Sequence, residues 1–124
     1  MPGIAALEGP QDVVCKFRDE LQARRDFFYQ GLANAAPGIL SGTPPDGAFY
    51  AFVKINRDWV RDKGLPGPSV SWAMAEHLIK EGRIGCVPGV DFGPSAEGFL
   101  RFAFSRDRKE LEGALASMKA VFAK

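Results

Sequence analysis

Amphipathic stripes at both ends of this 124-residue chain, with strand-like aromatic runs between them, predict one α+β domain spanning residues 1–124. The expected architecture is a small β-sheet of about three strands packed with helices, in the order α-β-α-β-β-α. Apolar residues recur at helical spacing as Val14, Phe17, Leu21, Phe28 and Leu32, and again as Leu111, Leu115, Met118 and Phe122. Residues 48–55 and 99–105 alternate like strands. A chain of this length buries roughly 65–70% of its unfolded surface, enough for one core but not two.

Residues 1–9 read as a loose lead-in. Gly9-Pro10 opens the first helix, with Pro10 at its first position and Asp12 at its positive end. Arg18, Asp19, Glu20 and the pair Arg24-Arg25 fill its solvated face, and Pro37-Gly38 ends it. Thr43-Pro-Pro-Asp-Gly47 is a turn, with Asp-Gly supplying positive φ. It feeds the strand 48–55, with Phe49, Ala51, Val53 and Ile55 on one face and Ala48, Tyr50, Phe52 and Lys54 on the other. Both faces start apolar, so that end should be covered on both sides. Residues 56–68 read as a short polar piece around Trp59 and then a Gly/Pro loop. Ser69 or Ser71 caps the next helix, which carries Trp72, Met74, Leu78 and Ile79 and stops with Gly82 at its end. A strand at 84–87, a loop at 88–98 and the strand 99–105 follow. Ser105 or Asp107 caps the last helix.

Composition narrows the function classes. A formal net charge of +1 gives no electrostatic footprint for nucleic acid or an anionic membrane surface. No run approaches the ~18 apolar residues of a membrane span. Residues 1–8 lack a basic start and a long apolar stretch, so no signal peptide is expected and the location expected is cytoplasmic. Cys15 and Cys86 read as small buried hydrophobes in a reducing compartment. The lone histidine, His77, has no acidic or nucleophilic motif around it, so neither a triad nor a metal site is expected, and a helix-edge role fits it.

The residue with unexplained chemistry is Arg101. Leu100, Phe102 and Phe104 form the core-facing set of the last strand, while Phe99, Arg101, Ala103 and Ser105 face away. A guanidinium among apolar neighbours is costly unless it meets an anion. A carboxylate or phosphate fits through two parallel hydrogen bonds, and so does a surface Asp or Glu of the same domain. The loop 87–93 matches neither a P-loop nor a dinucleotide fingerprint and reads instead as a tight turn that places Phe92 beside Arg101.

Three segments in order, Asp46-Gly-Ala-Phe-Tyr-Ala-Phe52, Val87-Pro-Gly-Val-Asp-Phe-Gly93 and Gly98-Phe-Leu-Arg-Phe-Ala-Phe-Ser105, resemble the C-terminal part of class I/II aminotransferases. These are pyridoxal-phosphate enzymes of the aspartate aminotransferase fold, and the resemblance covers nearly the whole chain. It implies that Arg101 binds the α-carboxylate of an amino-acid or 2-oxo-acid substrate, and that Phe92 borders the same cleft. It implies a small domain that moves against a large domain of the same enzyme, in a parent that is a homodimer. The family's cofactor lysine lies in a Ser-Lys motif that nothing here matches; Lys16, Lys54, Lys63, Lys80, Lys109, Lys119 and Lys124 all stand in other contexts. The chain is therefore expected to be a fragment of a longer one, with Met1 an added start, no catalytic residue and no bound pyridoxal phosphate or activity by itself. The same resemblance admits other chemistries of that fold, such as a carbon–sulfur lyase, a synthase or an aminotransferase-like regulator. A stand-alone, non-enzymatic interaction domain is the reading from another class. The overall resemblance leans towards an aspartate-like or broad-specificity enzyme.

Overall fold

The computed structural model describes residues 2–123; Met1 and Lys124 lie outside the described residues. The first helix, α1 (Pro2–Glu8), stands where a loose lead-in was expected. It holds because Gln11 Nε2 donates to the carbonyls of Ala6 (2.9 Å) and Gly9 (3.1 Å), giving its exposed end hydrogen-bond partners. A Cβ on Gly9 would sit 2.6 Å from the Ala5 oxygen, so the tight turn after α1 needs glycine there.

The long helix α2 (Asp12–Ala35) begins two residues beyond Pro10, which therefore stands before the helix rather than at its first position. Only its C-terminal part joins the core, through Phe28, Leu32 and Ala35; Val14 is exposed and Phe17 is 62% exposed. The expected apolar stripe is thus real in sequence but buried over half its length. Where α2 meets the last helix, α5 (Arg108–Phe122), the approach is close: a Cβ on Gly31 would lie 2.3 Å from Leu115 Cδ1. Arg24 and Arg25 are not a free solvated pair. Arg24 donates to the Ser105 carbonyl and pairs with Glu20, Arg25 Nη1 donates to the Pro45 carbonyl at 3.0 Å, and their side chains are 21% and 22% exposed.

Four strands form one antiparallel sheet in the order β1-β2-β4-β3: β1 (Leu40–Ser41), β2 (Tyr50–Ile55), β3 (Val87–Pro88) and β4 (Phe99–Ala103). The sheet has one strand more than expected, because β1 is two residues long and shows no alternation to read. Strand β2 is shorter than 48–55 because Ala48 takes φ +62°, the positive value expected of Asp46-Gly47. Ala51, Val53 and Ile55 are buried beneath it. Its other face is not covered: Tyr50 and Phe52 remain 36% and 39% exposed. Strand β3 keeps only the end of the expected 84–87 segment.

Residues read as a polar piece form helix α3 (Arg57–Lys63). Asn56 Oδ1 accepts from the amides of Asp58 (3.0 Å) and Trp59 (3.2 Å), and Gly64 closes the helix at φ +64°. Ser69 caps helix α4 (Val70–Gly82), accepting from the Trp72 amide at 3.3 Å. Met74 and Leu78 are buried, whereas Trp72 and Ile79 point outward. Arg83, not Gly82, adopts the left-handed cap conformation at φ +55°. Gly82 serves packing instead, since a Cβ there would touch Val121 Cγ2 at 3.0 Å. Asp107 caps α5, accepting from the Glu110 amide at 2.8 Å, and Val121 rather than Phe122 completes its buried stripe.

Helix α4 lies against β2 and β4, and α5 packs across α2 and α4. The core therefore sits on one face of the sheet, with the Phe28 and Phe102 rings 5.7 Å apart. The opposite face is the one that carries Arg101.

Candidate functional site

Arg101 stands on β4, an interior strand. It is opposite Phe52 of β2 on one side and Val87 of β3 on the other. Backbone pairing continues past both ends of β4, through the Phe104 amide to the Phe49 carbonyl (2.9 Å) and the Ile55 amide to the Gly98 carbonyl (2.8 Å). The guanidinium is thus projected from a strand whose backbone is paired on both sides.

Rings surround it. Its Cζ lies 4.1 Å from the centroid of Tyr50 and 4.7 Å from that of Phe92. Phe52 stacks on Phe99 at 5.0 Å, and Phe92 meets Phe52 edge-on at 6.5 Å. Such cation–ring contacts contribute about 0.5–1 kcal/mol each at exposed sites. Among the described residues no carboxylate stands within ion-pair distance of Arg101. The surface Asp or Glu that could have neutralised it from within the domain is not there. The rings orient the group and leave its N–H edges without an acceptor among the described residues.

Phe92 reaches Arg101 because the loop between β3 and β4 is folded tightly. Two 3₁₀ turns, Gly89–Phe92 and Pro94–Ala96, follow each other. A Cβ on Gly89 would lie 2.1 Å from the Ala96 oxygen and 2.7 Å from the Phe99 oxygen, so the two arms of the loop close on that glycine. Gly93 takes φ +127° between the turns and Gly98 takes φ +94° before β4.

Sequence reasoning missed the residue that ties this loop down. Glu97 Oε1 accepts from the Ser71 hydroxyl at 2.6 Å and the Ser71 amide at 3.0 Å. Arg57 Nη2 donates to the Glu97 carbonyl at 3.2 Å, and Arg57 Nη1 lies 3.6 Å from the carboxylate. Burial pushes the Glu97 carboxyl up. Hydrogen bonds from the Ser71 hydroxyl and amide, the Gly98 amide and the Ser69 hydroxyl outweigh it, and the group lies below its ordinary value. The only sequence signal was Ser71, noticed as a possible cap.

The other flagged residues lie elsewhere. His77 meets the Trp59 ring at 6.0 Å. Cys15 is exposed, contrary to expectation; Cys86 is half-buried, and burial pushes its thiol up to about 12. Among the described residues no cluster of His, Cys, Asp or Glu could hold a metal ion, and no helix is long and apolar enough to cross a membrane. A cavity of about 500 Å³ beside α5 is lined by Arg83, Gly85, Arg106 and Glu110 among others, but not by Arg101 or Phe92.

Known proteins are similar to this chain in sequence and fold. The chain is 34% identical over 119 residues to the "Probable aspartate aminotransferase" of Methanocaldococcus jannaschii, covering 96% of this chain and 28% of that protein. It is 29% identical to the glutamate-pyruvate aminotransferase AlaC of Escherichia coli, covering 96% of this chain and 26% of that one. Alanine aminotransferase from Pyrococcus furiosus superposes with a TM-score of 0.80 at 30% identity, over 97% of this chain and 28% of the other. A carbon–sulfur lyase from Staphylococcus hominis has the same fold, with a TM-score of 0.80 at 20% identity. The chain thus spans little more than a quarter of the length of these relatives. The family model for aminotransferase class I and II matches residues 3–118, and with the sequence and fold agreeing over nearly its whole length the chain belongs to that family.

Proposed function

We propose that this chain acts as the small domain of a pyridoxal-phosphate-dependent aminotransferase, transferring an amino group between an amino acid and a 2-oxo acid, with Arg101 binding the substrate's α-carboxylate. The observation that carries the reading is the guanidinium held by Tyr50 and Phe92 with no carboxylate of the described residues in reach. A carboxylate meets such a group through two charge-assisted hydrogen bonds in one plane. Phe92 forms an apolar wall beside that contact and keeps water from one side of it.

The cofactor does not fit on these residues alone. The sheet face around Arg101 offers Tyr50, Phe52, Lys54, Phe99 and Ala103. One amine and one guanidinium among rings supply neither a phosphate cradle nor a carboxylate for a pyridine nitrogen. In this reading the rest of the parent enzyme, its large domain and the second subunit of a cytoplasmic homodimer, holds pyridoxal phosphate and the reacting lysine. The chain by itself is inactive. Lyases of the same fold would use the same arginine; the aminotransferase names of the relatives above 30% identity favour transfer.

The test is Arg101→Ala in the full-length parent. Each charge-assisted bond contributes about 1.5–3 kcal/mol, so the KM for amino acid and 2-oxo acid should rise at least about a hundredfold with the fold intact. Unchanged kinetics would reduce Arg101 to a surface cation. For the chain itself, borohydride treatment with pyridoxal phosphate should trap no adduct at a unique lysine, and a stoichiometric one would sink the claim.

A further inference from the structure

We infer that Glu97 is a positioning residue: gripped by Ser71, it pins both arms of the 89–97 loop to the start of α4 and so holds Phe92 on the Arg101 guanidinium. The functional half of this inference rests on the carboxylate reading of Arg101; the structural half does not.

The geometry is a relay. Glu97 lies at the end of the loop, and its Oε1 takes both the hydroxyl and the amide proton of Ser71. With its proton committed to Glu97, the Ser71 hydroxyl oxygen is free to accept, and the Val90 amide at the loop's beginning points to it at 3.4 Å. One buried hydroxyl thus joins residues 90 and 97, with Phe92 between them. Ser71 is 0% exposed, and it is the only fully buried polar side chain among the described residues. Within the loop, the remaining backbone bonds are local, from Gly93 to Val90, Ala96 to Gly93 and Glu97 to Pro94. They shape the two turns but anchor neither to the domain.

A carboxylate suits this place because every group facing it is a donor: the Ser71 hydroxyl and amide, the Ser69 hydroxyl, the Gly98 amide and the Arg57 guanidinium. Glutamine would keep an oxygen for Ser71 but turn an NH₂ towards Arg57. Alanine would leave a buried hydroxyl and amide without an acceptor, a costly state that the loop relieves by moving. Phe92 is 49% exposed and meets Phe52 only edge-on at 6.5 Å, so the loop that carries it decides where its ring sits. If Phe92 leaves, Arg101 loses one of its two cation–ring contacts and regains rotamer freedom that a carboxylate ligand must then remove.

The experiment compares isotope-labelled wild-type chain with Glu97→Ala, Glu97→Gln and Ser71→Ala by NMR. In the wild type the Arg101 side-chain resonances should be displaced by the Tyr50 and Phe92 rings. In Glu97→Ala most of the Phe92 part of that displacement should vanish. Exchange of the Val90 amide should quicken about ten- to a hundredfold, the range of one lost charge-assisted bond, while the Leu100 and Phe102 amides stay protected. Glu97→Gln should restore most of the displacement, and Ser71→Ala should release Val90 even if Glu97→Ala does not fold. Wild-type Arg101 resonances and Val90 exchange in folded variants would overturn the inference. In the full-length parent, Glu97→Ala should raise KM several-fold with kcat little changed. A moved loop with unchanged KM would overturn the functional half. If Arg101→Ala itself left KM unaltered, the carboxylate reading would fall while the relay, read from the resonances, stood.

Discussion

Replacing Gly89 by alanine adds one methyl group where the structure has no room for it. The ideal Cβ would lie 2.1 Å from the Ala96 oxygen and 2.7 Å from the Phe99 oxygen. Ordinary contact begins at 3.4 Å, so the Ala96 carbonyl must retreat by roughly 1.3 Å. Both obstacles are backbone, and one belongs to β4, two residues from Arg101. Overpacking a tight site costs about 1–3 kcal/mol, and a backbone obstacle puts this one in the upper half of that range. For a chain of this length about 2–3 kcal/mol corresponds to a melting point lower by roughly 7–12 °C. Gly85→Ala is the control, since nothing stands within 4 Å of its Cβ and its φ is ordinary. It should be neutral or slightly stabilising, within about 0.5 kcal/mol. The assay is thermal and urea unfolding followed by the fluorescence of Trp59 and Trp72. Equal melting points for Gly89→Ala and wild type would refute the account of how the loop closes.

Phe104 is 1% exposed in the core, and Phe104→Ala should lose about 3–5 kcal/mol in urea unfolding, whereas Phe17→Ala, at an exposed site, should lose under about 1 kcal/mol. Under native conditions iodoacetamide should alkylate exposed Cys15 and spare Cys86, whose buried thiol is pushed up to about 12; mass spectrometry showing equal labelling would contradict the burial. Glu97 has a folded-state pKa below its unfolded one, so its contribution is complete above the ordinary carboxyl value and disappears as pH falls through the lowered one. Glu97→Gln should therefore flatten the acid limb of stability against pH; parallel limbs in the two proteins would rule out this source. Arg57 is the charged group facing it.

What the sequence made legible was whatever one period could carry. Strand alternation put Leu100, Phe102 and Phe104 inside and Arg101 outside, and the structure agrees residue by residue. The stripe of α5 was readable for the same reason. The failures are places where a local signal was short or a distant partner decided. Strand β1 is two residues long, and α3 depends on the Asn56 cap and Gly64 rather than on periodicity. Val14 and Phe17 continue the α2 stripe but stay more than half exposed. At the site, Arg101 was visible as an isolated charge. The Glu97–Ser71 contact was not, because the two residues are 26 positions apart and each looks like ordinary surface or cap chemistry.

The interior position of β4 has a consequence for ligand affinity. A free arginine side chain carries about 2 kcal/mol of rotamer entropy, which a ligand ordinarily has to remove. Here the backbone beneath Arg101 is paired on both sides and two rings already confine the guanidinium. Much of that ordering was done when the chain folded. An anion arriving at this face meets a group already pre-organised, so its binding should carry a smaller entropic penalty, set mainly by how firmly Phe92 is kept in place.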